Sequence, residues 1–250
     1  MSRELDGKVA LVTGAARNIG RAICVALAEA GANIVVNVKS SIDLAQETAK
    51  LVESAGSRAI VAPADVTNEA AVAEMLASAR QAFGGVDILV NNAAVRKEAP
   101  FDSVTFAEWQ QVLAIMLDGA FLCTKAAVLS MKERGGGRII NIGGLTGHSG
   151  AKHRIHVVTG KAALAGFTKA IAQDLAADGI TANCVVPGMI ETERGVHAPQ
   201  APKHHADRPR LIEPLGRPSE VAALVRHLAG PQSRYITGQS IHINGGVFMP

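Results

Sequence analysis

Two glycines six residues apart, Gly14 and Gly20, follow the apolar run Val9-Ala10-Leu11-Val12 and open a segment of helical pattern. That arrangement can cradle a phosphate. Gly14 permits a tight turn, Gly20 lets a helix pack closely on the strand, and free amides at the helix start favour a pyrophosphate. A generic strand-to-helix turn also carries such glycines, so the signal gains its weight from standing at the first β/α junction of a long alternating chain. A second group suits proton transfer: His148, His153 and His156 cluster just before Lys161, beside Arg154 and Thr159, and imidazole titrates near neutrality. His153 would share a face with Val157 and Lys161 if the helix there begins early enough, because both spacings are four. Surface or substrate-rim histidines are the bland alternative. A third group, His197, Lys203, His204, His205, Arg208 and Arg210, lies in the polar stretch 193–214. A basic lid would favour an anionic substrate, a carboxylate or phosphate ester, whereas a solvated loop would have no such role. His204 and His205 are adjacent, and no cysteine or paired carboxylate joins them at ligand spacing, so no metal site is expected.

The elements that must position these residues alternate. Strands are expected at Val9–Val12, Ile34–Val38, Ala59–Ala62, Val86–Val90, Arg138–Ile142, Thr181–Val186 and Ser240–Ile243. Helices are expected at Ile19–Ala30, Asp43–Ser54, Glu69–Ala82, around Phe106–Met131, near Thr159–Ala177 and at Glu220–Leu228. Buried strands alternating with amphipathic helices define an α/β chain, a Rossmann-type doubly wound, predominantly parallel sheet with helices on both faces. No linker divides it, so 1–250 is read as one nucleotide-binding domain. The stretch 193–214 is read as a substrate lid, since only 36 residues follow it.

At this level the sequence resembles the short-chain dehydrogenase/reductase family along nearly its whole length. The family's TGxxxGxG stands as Thr13 to Gly20, with Asn18 for the middle glycine. Asp65-Val66 matches its adenine-contacting pair, and Asn91-Asn92-Ala93-Ala94 resembles its NNAG. Pro187-Gly188-Met189-Ile190-Glu191-Thr192 matches PGxIxT, and Leu215-Gly216-Arg217-Pro218 and Thr237-Gly238-Gln239 also fit. The resemblance implies an NAD(P)-binding oxidoreductase. It implies cofactor contacts at Gly14, Arg17, Asn18, Ile19, Gly20, Asp65, Val66, Asn91, Ala93, Pro187, Gly188, Ile190 and Thr192. It also implies a homotetramer or homodimer formed through the helices near 105–134 and 155–178 and the C-terminal segment. The end of the second strand reads Asn37-Val38-Lys39-Ser40-Ser41, with no carboxylate for the ribose hydroxyls of NAD. Arg17 and Lys39 could instead pair with a 2′-phosphate, which favours NADP(H) over NAD(H); two solvated surface cations are the alternative.

The catalytic pattern departs from the family. Hydride transfer to a carbonyl leaves an alkoxide that needs a proton and electrostatic support, which the family provides with Asn, Ser, Tyr and Lys. Here Lys161 stands in Val157-Val158-Thr159-Gly160-Lys161, and Val157 takes the tyrosine position of YxxxK. Thirteen residues earlier the serine position is Gly144. Met116, seven residues after Trp109, takes the asparagine position. Valine has no proton to give and glycine no hydroxyl. In the family the lysine also bonds the nicotinamide ribose, a role Lys161 can keep. The catalytic candidates are therefore Lys161, His153 and His156. The leading expectation is an NADP(H)-dependent oxidoreductase acting on a small carbonyl or alcohol with a non-standard active site. A non-redox lyase, dehydratase or dehalogenase-like enzyme, or a catalytically silent nucleotide-binding subunit, are its rivals.

Composition bounds the remaining classes. The 250 residues are 48% apolar and 19% charged, an ordinary globular balance. A net charge of +3 is small and partly local to Lys203, Arg208, Arg210 and Arg217, and aromatic residues make up 3%. That gives no case for nucleic acid as a partner. Cys24, Cys123 and Cys184 are odd in number and sit in apolar runs, which reads as buried reduced thiols in a cytoplasmic chain. No run of 18 consecutive apolar residues occurs, so no membrane partner is expected.

Overall fold

A computed structural model of the chain describes residues 3–193 and 211–250. Its centre is a sheet of seven strands: β1 (Val9–Val12), β2 (Asn33–Val38), β3 (Ala59–Pro63), β4 (Ile88–Asn91), β5 (Gly137–Ile142), β6 (Ile180–Pro187) and β7 (Ser240–Ile243). Their spatial order is β3-β2-β1-β4-β5-β6-β7, and each adjacent pair is parallel. The sheet therefore winds outward in both directions from β1 and β4. The crevice beyond their carboxyl ends is where a sheet of this kind holds its ligand.

Side chains alternate across the strands, and the two faces bury different helices. Ala10, Val12, Ile34, Val36, Val90, Ile140 and Val185 face a core shared with α1 (Asn18–Glu29), α2 (Ile42–Ser54) and α8 (Pro218–Ala229). Val9, Leu11, Val35, Leu89, Ile139 and Ala182 face the other core, with α3 (Glu69–Phe83), α5 (Gly119–Glu133) and α7 (Ile155–Leu175). Near-continuous burial of β1, β2, β4 and β6 explains why their sequences are mostly apolar and do not alternate with polar residues. Cys24, Cys123 and Cys184 are buried free thiols, as expected.

Boundaries agree with the sequence within a few residues, and three local differences matter. The fourth strand begins at Ile88 and ends on Asn91, so the Asn91-Asn92 pair sits on the carboxyl edge. The stretch around Phe106–Met131 is not one regular helix: α4 (Phe106–Leu113) passes through a π-turn, Ala114–Asp118, into α5. The seventh helix begins at Ile155, four residues before the expected start. The joined run Phe106–Glu133 is long and apolar enough to cross a membrane by length and composition alone; here it packs through α5 against β4, β5 and α3. Of the expected lid, residues 194–210, with His197, Lys203, His204, His205, Arg208 and Arg210, lie outside the described residues.

Candidate active site

The phosphate loop is built by close backbone contact. Gly14 has φ +62°, and a Cβ there would lie 2.9 Å from Ala93 Cα. A Cβ on Gly20 would lie 2.6 Å from the Gly14 carbonyl oxygen. Both positions therefore exclude larger side chains. Thr13 Oγ1 accepts the amides of Asn92 and Ala93 at 2.9 and 3.0 Å. Asn92 Nδ2 donates to the carbonyls of Thr13 and Gly14, each at 2.9 Å. Asn92 is thus the stitch between the loops after β1 and β4, a role that its place in the NNAA motif does not by itself disclose. Asn91 turns the other way: its Nδ2 donates to Asn141 Oδ1 at 2.8 Å and Thr124 Oγ1 at 3.2 Å, inside the core. The side chain expected to meet cofactor instead braces β4 against β5 and α5.

Helix α1 starts with no side-chain cap and no acidic residue in its first turn, so its amide end stays open to an anion. Arg17 is exposed beside it and Ile19 is partly buried. Lys39 is not a free surface cation, because its Nζ pairs with Asp65 Oδ2 at 2.6 Å. That hydrogen bond, with the Thr67 amide and hydroxyl on Oδ1, holds the Asp65 carboxyl down at about 2. Val66 is buried against Gly119, where a Cβ would meet its side chain at 2.7 Å. The glycine cradle, the uncapped helix end and the Arg17 cation together fit a dinucleotide carrying a pyrophosphate.

The far wall is the segment after β6. The Gly188 amide donates to Ile243 O at 2.9 Å, and a Cβ on Gly188 would lie 2.6 Å from Asn244 Cα. Pro187 O accepts the Leu145 amide at 2.9 Å. Ile190 bridges to Gly216, and Thr192 Oγ1 accepts from Arg96 Nη1 at 3.3 Å.

Lys161, on α7, reaches beneath this cleft and donates from Nζ to Ile142 O at 2.6 Å. Burial pushes the amine down to about 8, with the Arg96 cation adding to the fall and Cys184 opposing it. Gly144 faces the same lysine, and a Cβ there would lie 3.6 Å from its Cγ and Cδ, an ordinary contact. Val157 packs instead into an apolar group with Val112 and Met116, with Val95 against it. Gly144, Val157 and Met116, the positions that the resemblance sets against the family's Ser, Tyr and Asn, therefore lie on or around α7.

The histidines separate. His153 lies in the turn before α7 at φ +58°, so it does not share a helix face with Val157 and Lys161; its carbonyl accepts the Ala99 amide at 2.8 Å. It lines a cavity of about 340 Å³ with Ala99, Phe101, Arg154, Val158 and Thr159. Arg154 there is ion-paired to Glu98. His156 is 0% exposed. Its Nδ1 accepts the Val157 amide at 3.0 Å, while Nε2 is buried with no partner among the described residues. Desolvation lowers its pKa, which disfavours the charged ring. His148 leaves the cleft and stacks edge-on against His242, ring centres 4.6 Å apart. Tyr235, the one tyrosine, is exposed. No group of three or more metal-ligating side chains is found among the described residues.

A doubly wound parallel sheet with a glycine cradle at its switch point defines a dinucleotide-binding domain. Residues 14–248 match the family model described as enoyl-(acyl carrier protein) reductase. The chain is similar to the 3-oxoacyl-(acyl-carrier-protein) reductase of Vibrio cholerae, 37% identical over 98% of this chain and 99% of the relative. Among solved structures it is similar to a dehydrogenase/reductase of Sinorhizobium meliloti, with TM-score 0.90 and 35% identity over 99% of this chain and 98% of that one. A Serratia marcescens short-chain dehydrogenase/reductase variant gives TM-score 0.89 and 35% identity over 97% and 98%. The chain belongs to the short-chain dehydrogenase/reductase family and is an oxidoreductase of that type.

Proposed function

We propose that the chain is an NADP(H)-dependent oxidoreductase acting on a small carbonyl or alcohol, with a proton route that bypasses the tyrosine position. A bound nicotinamide supplies or takes up the hydride. The amides of the Gly14–Gly20 loop hold the pyrophosphate, and Arg17 provides the charge for a 2′-phosphate. Lys39, already paired to Asp65, contributes by reorienting. Asp65 and Val66 border the adenine side, with Ala93, Pro187, Gly188, Ile190 and Thr192 along the nicotinamide end.

One observation carries the reading of a non-standard site. Lys161 keeps its place under the cleft, bonded to Ile142 O at 2.6 Å, while Val157 is sealed among Val112 and Met116. The ribose-binding half of the machinery stands without the phenol. An amine held at about 8 is itself an acid of useful strength near neutral pH. Lys161 is therefore the proposed proton donor. His153, exposed on the rim of the cavity, exchanges protons with solvent more readily than the sealed His156.

The test is NADPH consumption against a panel of small carbonyls, with 3-oxoacyl thioesters included because the curated relative is named for them. Reduction requires the protonated amine, so kcat/KM falls as pH rises through about 8. The Lys161→Met variant should lose that limb along with most of the activity. A limb that persists in Lys161→Met would remove the lysine from the proton route. Tight NADPH binding with no turnover on any substrate would favour a silent nucleotide-binding subunit. The buried thiols suit a reducing, cytoplasmic setting, and the assembly is proposed as a homotetramer or homodimer.

A further inference from the structure

Asn18 stands at the centre of the phosphate loop, yet its side chain is turned away from the helix start and across the cleft. Its backbone has φ +53°, the left-handed region that glycine enters freely and asparagine tolerates better than most side chains. The position therefore accepts few residue types, and of these asparagine brings a planar amide with a donor and an acceptor side by side. Both are used on one residue. Asn18 Nδ2 donates to Glu193 O at 2.9 Å, and the Glu193 amide donates to Asn18 Oδ1 at 2.9 Å. The side-chain amide thus pairs with a backbone residue 175 positions away in the manner of a β-bridge.

The segment it grips is the far wall of the cofactor groove. That wall is tied to the body of the protein at its base, through Gly188 N to Ile243 O at 2.9 Å and Glu191 N to Gly216 O at 2.8 Å. Arg96 holds Thr192 from the side. Asn18 provides the attachment that reaches the phosphate loop, so the groove is bounded on both sides and bridged between them. A glycine at this position would keep the backbone geometry and lose both hydrogen bonds.

We propose that Asn18 is a positioning residue that straps the 190–193 wall to the phosphate loop and thereby slows release of a bound dinucleotide. The inference rests on the reading of this groove as an NADP(H) site. Its own geometry needs no cofactor, which keeps the two separable.

The test compares wild type with Asn18→Gly, a substitution that φ +53° accommodates without strain, and with Asn18→Asp. The carboxylate keeps the acceptor for the Glu193 amide and loses the donor to Glu193 O. Hydrogen exchange at the Glu193 amide is read without nucleotide, and NADPH dissociation by stopped flow. Protection at Glu193 should be lost in Asn18→Gly and partly kept in Asn18→Asp. NADPH should leave Asn18→Gly about tenfold faster, the scale of two lost neutral hydrogen bonds, with association little changed. Equal protection of Glu193 in wild type and Asn18→Gly would overturn the strap. Lost protection with an unchanged dissociation rate would overturn its role in retention. If wild type binds no NADPH, the cofactor reading fails and retention falls with it, while Glu193 exchange still decides whether the strap exists.

Discussion

Gly144, Val157 and Met116, which the family resemblance sets against Ser, Tyr and Asn, are the residues on which the proposed proton route turns, together with Lys161. Space is not what forbids a serine, since a Cβ on Gly144 meets Lys161 at 3.6 Å. A tyrosine at 157 must displace part of the Val112–Met116 packing, at a cost of about 1–3 kcal/mol. The double variant Gly144→Ser/Val157→Tyr should gain NADPH-dependent carbonyl reduction by on the order of a hundredfold, the lower end of what a general acid contributes. Unchanged rates in a folded double variant would show that the cleft has diverged beyond these positions. Lys161 also leaves a mark on stability. Its folded pKa of about 8 lies below the ordinary 10.5, so between those values the unfolded chain binds the extra proton and wild-type stability rises with pH. Lys161→Met should melt higher than wild type near neutrality, with the gap closing as pH climbs from 8 toward 10.5. An identical pH slope in the two proteins would contradict the buried-amine geometry.

Element by element, the sequence disclosed what depends on periodicity and hid what depends on close approach. Apolar runs such as Val9–Val12, and Cys184–Val186 within β6, read as buried strands because both of their faces are covered. The π-turn at Ala114–Asp118 left no signal, since one extra residue in a turn barely disturbs an apolar pattern. The start of α7 carries no signal in the sequence because no capping residue precedes it: Arg154 stands at the N-cap without a side-chain cap. Even this earlier start stops short of His153, so the helix face that the four-residue spacing would allow does not include it. Likewise Lys39 read as a free cation, because its pairing with Asp65 joins the ends of two strands 26 positions apart. Packing of α6 (Thr146–Ser149) on α7 gives the prediction at this scale. A Cβ on Gly147 would lie 2.8 Å from Ala162 N and 2.9 Å from Lys161 Cβ, and the helix backbone cannot yield. Gly147→Ala should destabilise by about 1–3 kcal/mol and lower activity by shifting Lys161, as measured by denaturant midpoints and kcat/KM. A neutral effect on both would mean that α6 does not hold the lysine.

For the whole molecule, the fold class was legible from the alternation of elements, while the contacts that decide chemistry were not. The α4–α5 run, one of the segments proposed for the subunit interface, leaves apolar side chains open to solvent, with Phe106 72% and Leu129 67% exposed. Leu129→Glu should therefore shift the assembly to a smaller species in light scattering, and an unchanged mass would move the proposed interface elsewhere. The central claim is that the groove above β1 and β4 holds NADP(H) through its glycine loop and Arg17. It is tested most directly by titrating wild type and Arg17→Ala with NADPH and with NADH. The expected result is micromolar NADPH binding, weaker NADH binding, and a loss of about tenfold or more in Arg17→Ala for NADPH alone, the scale of one charge-assisted contact. Failure of the folded, nucleotide-free protein to bind either nucleotide would contradict the account.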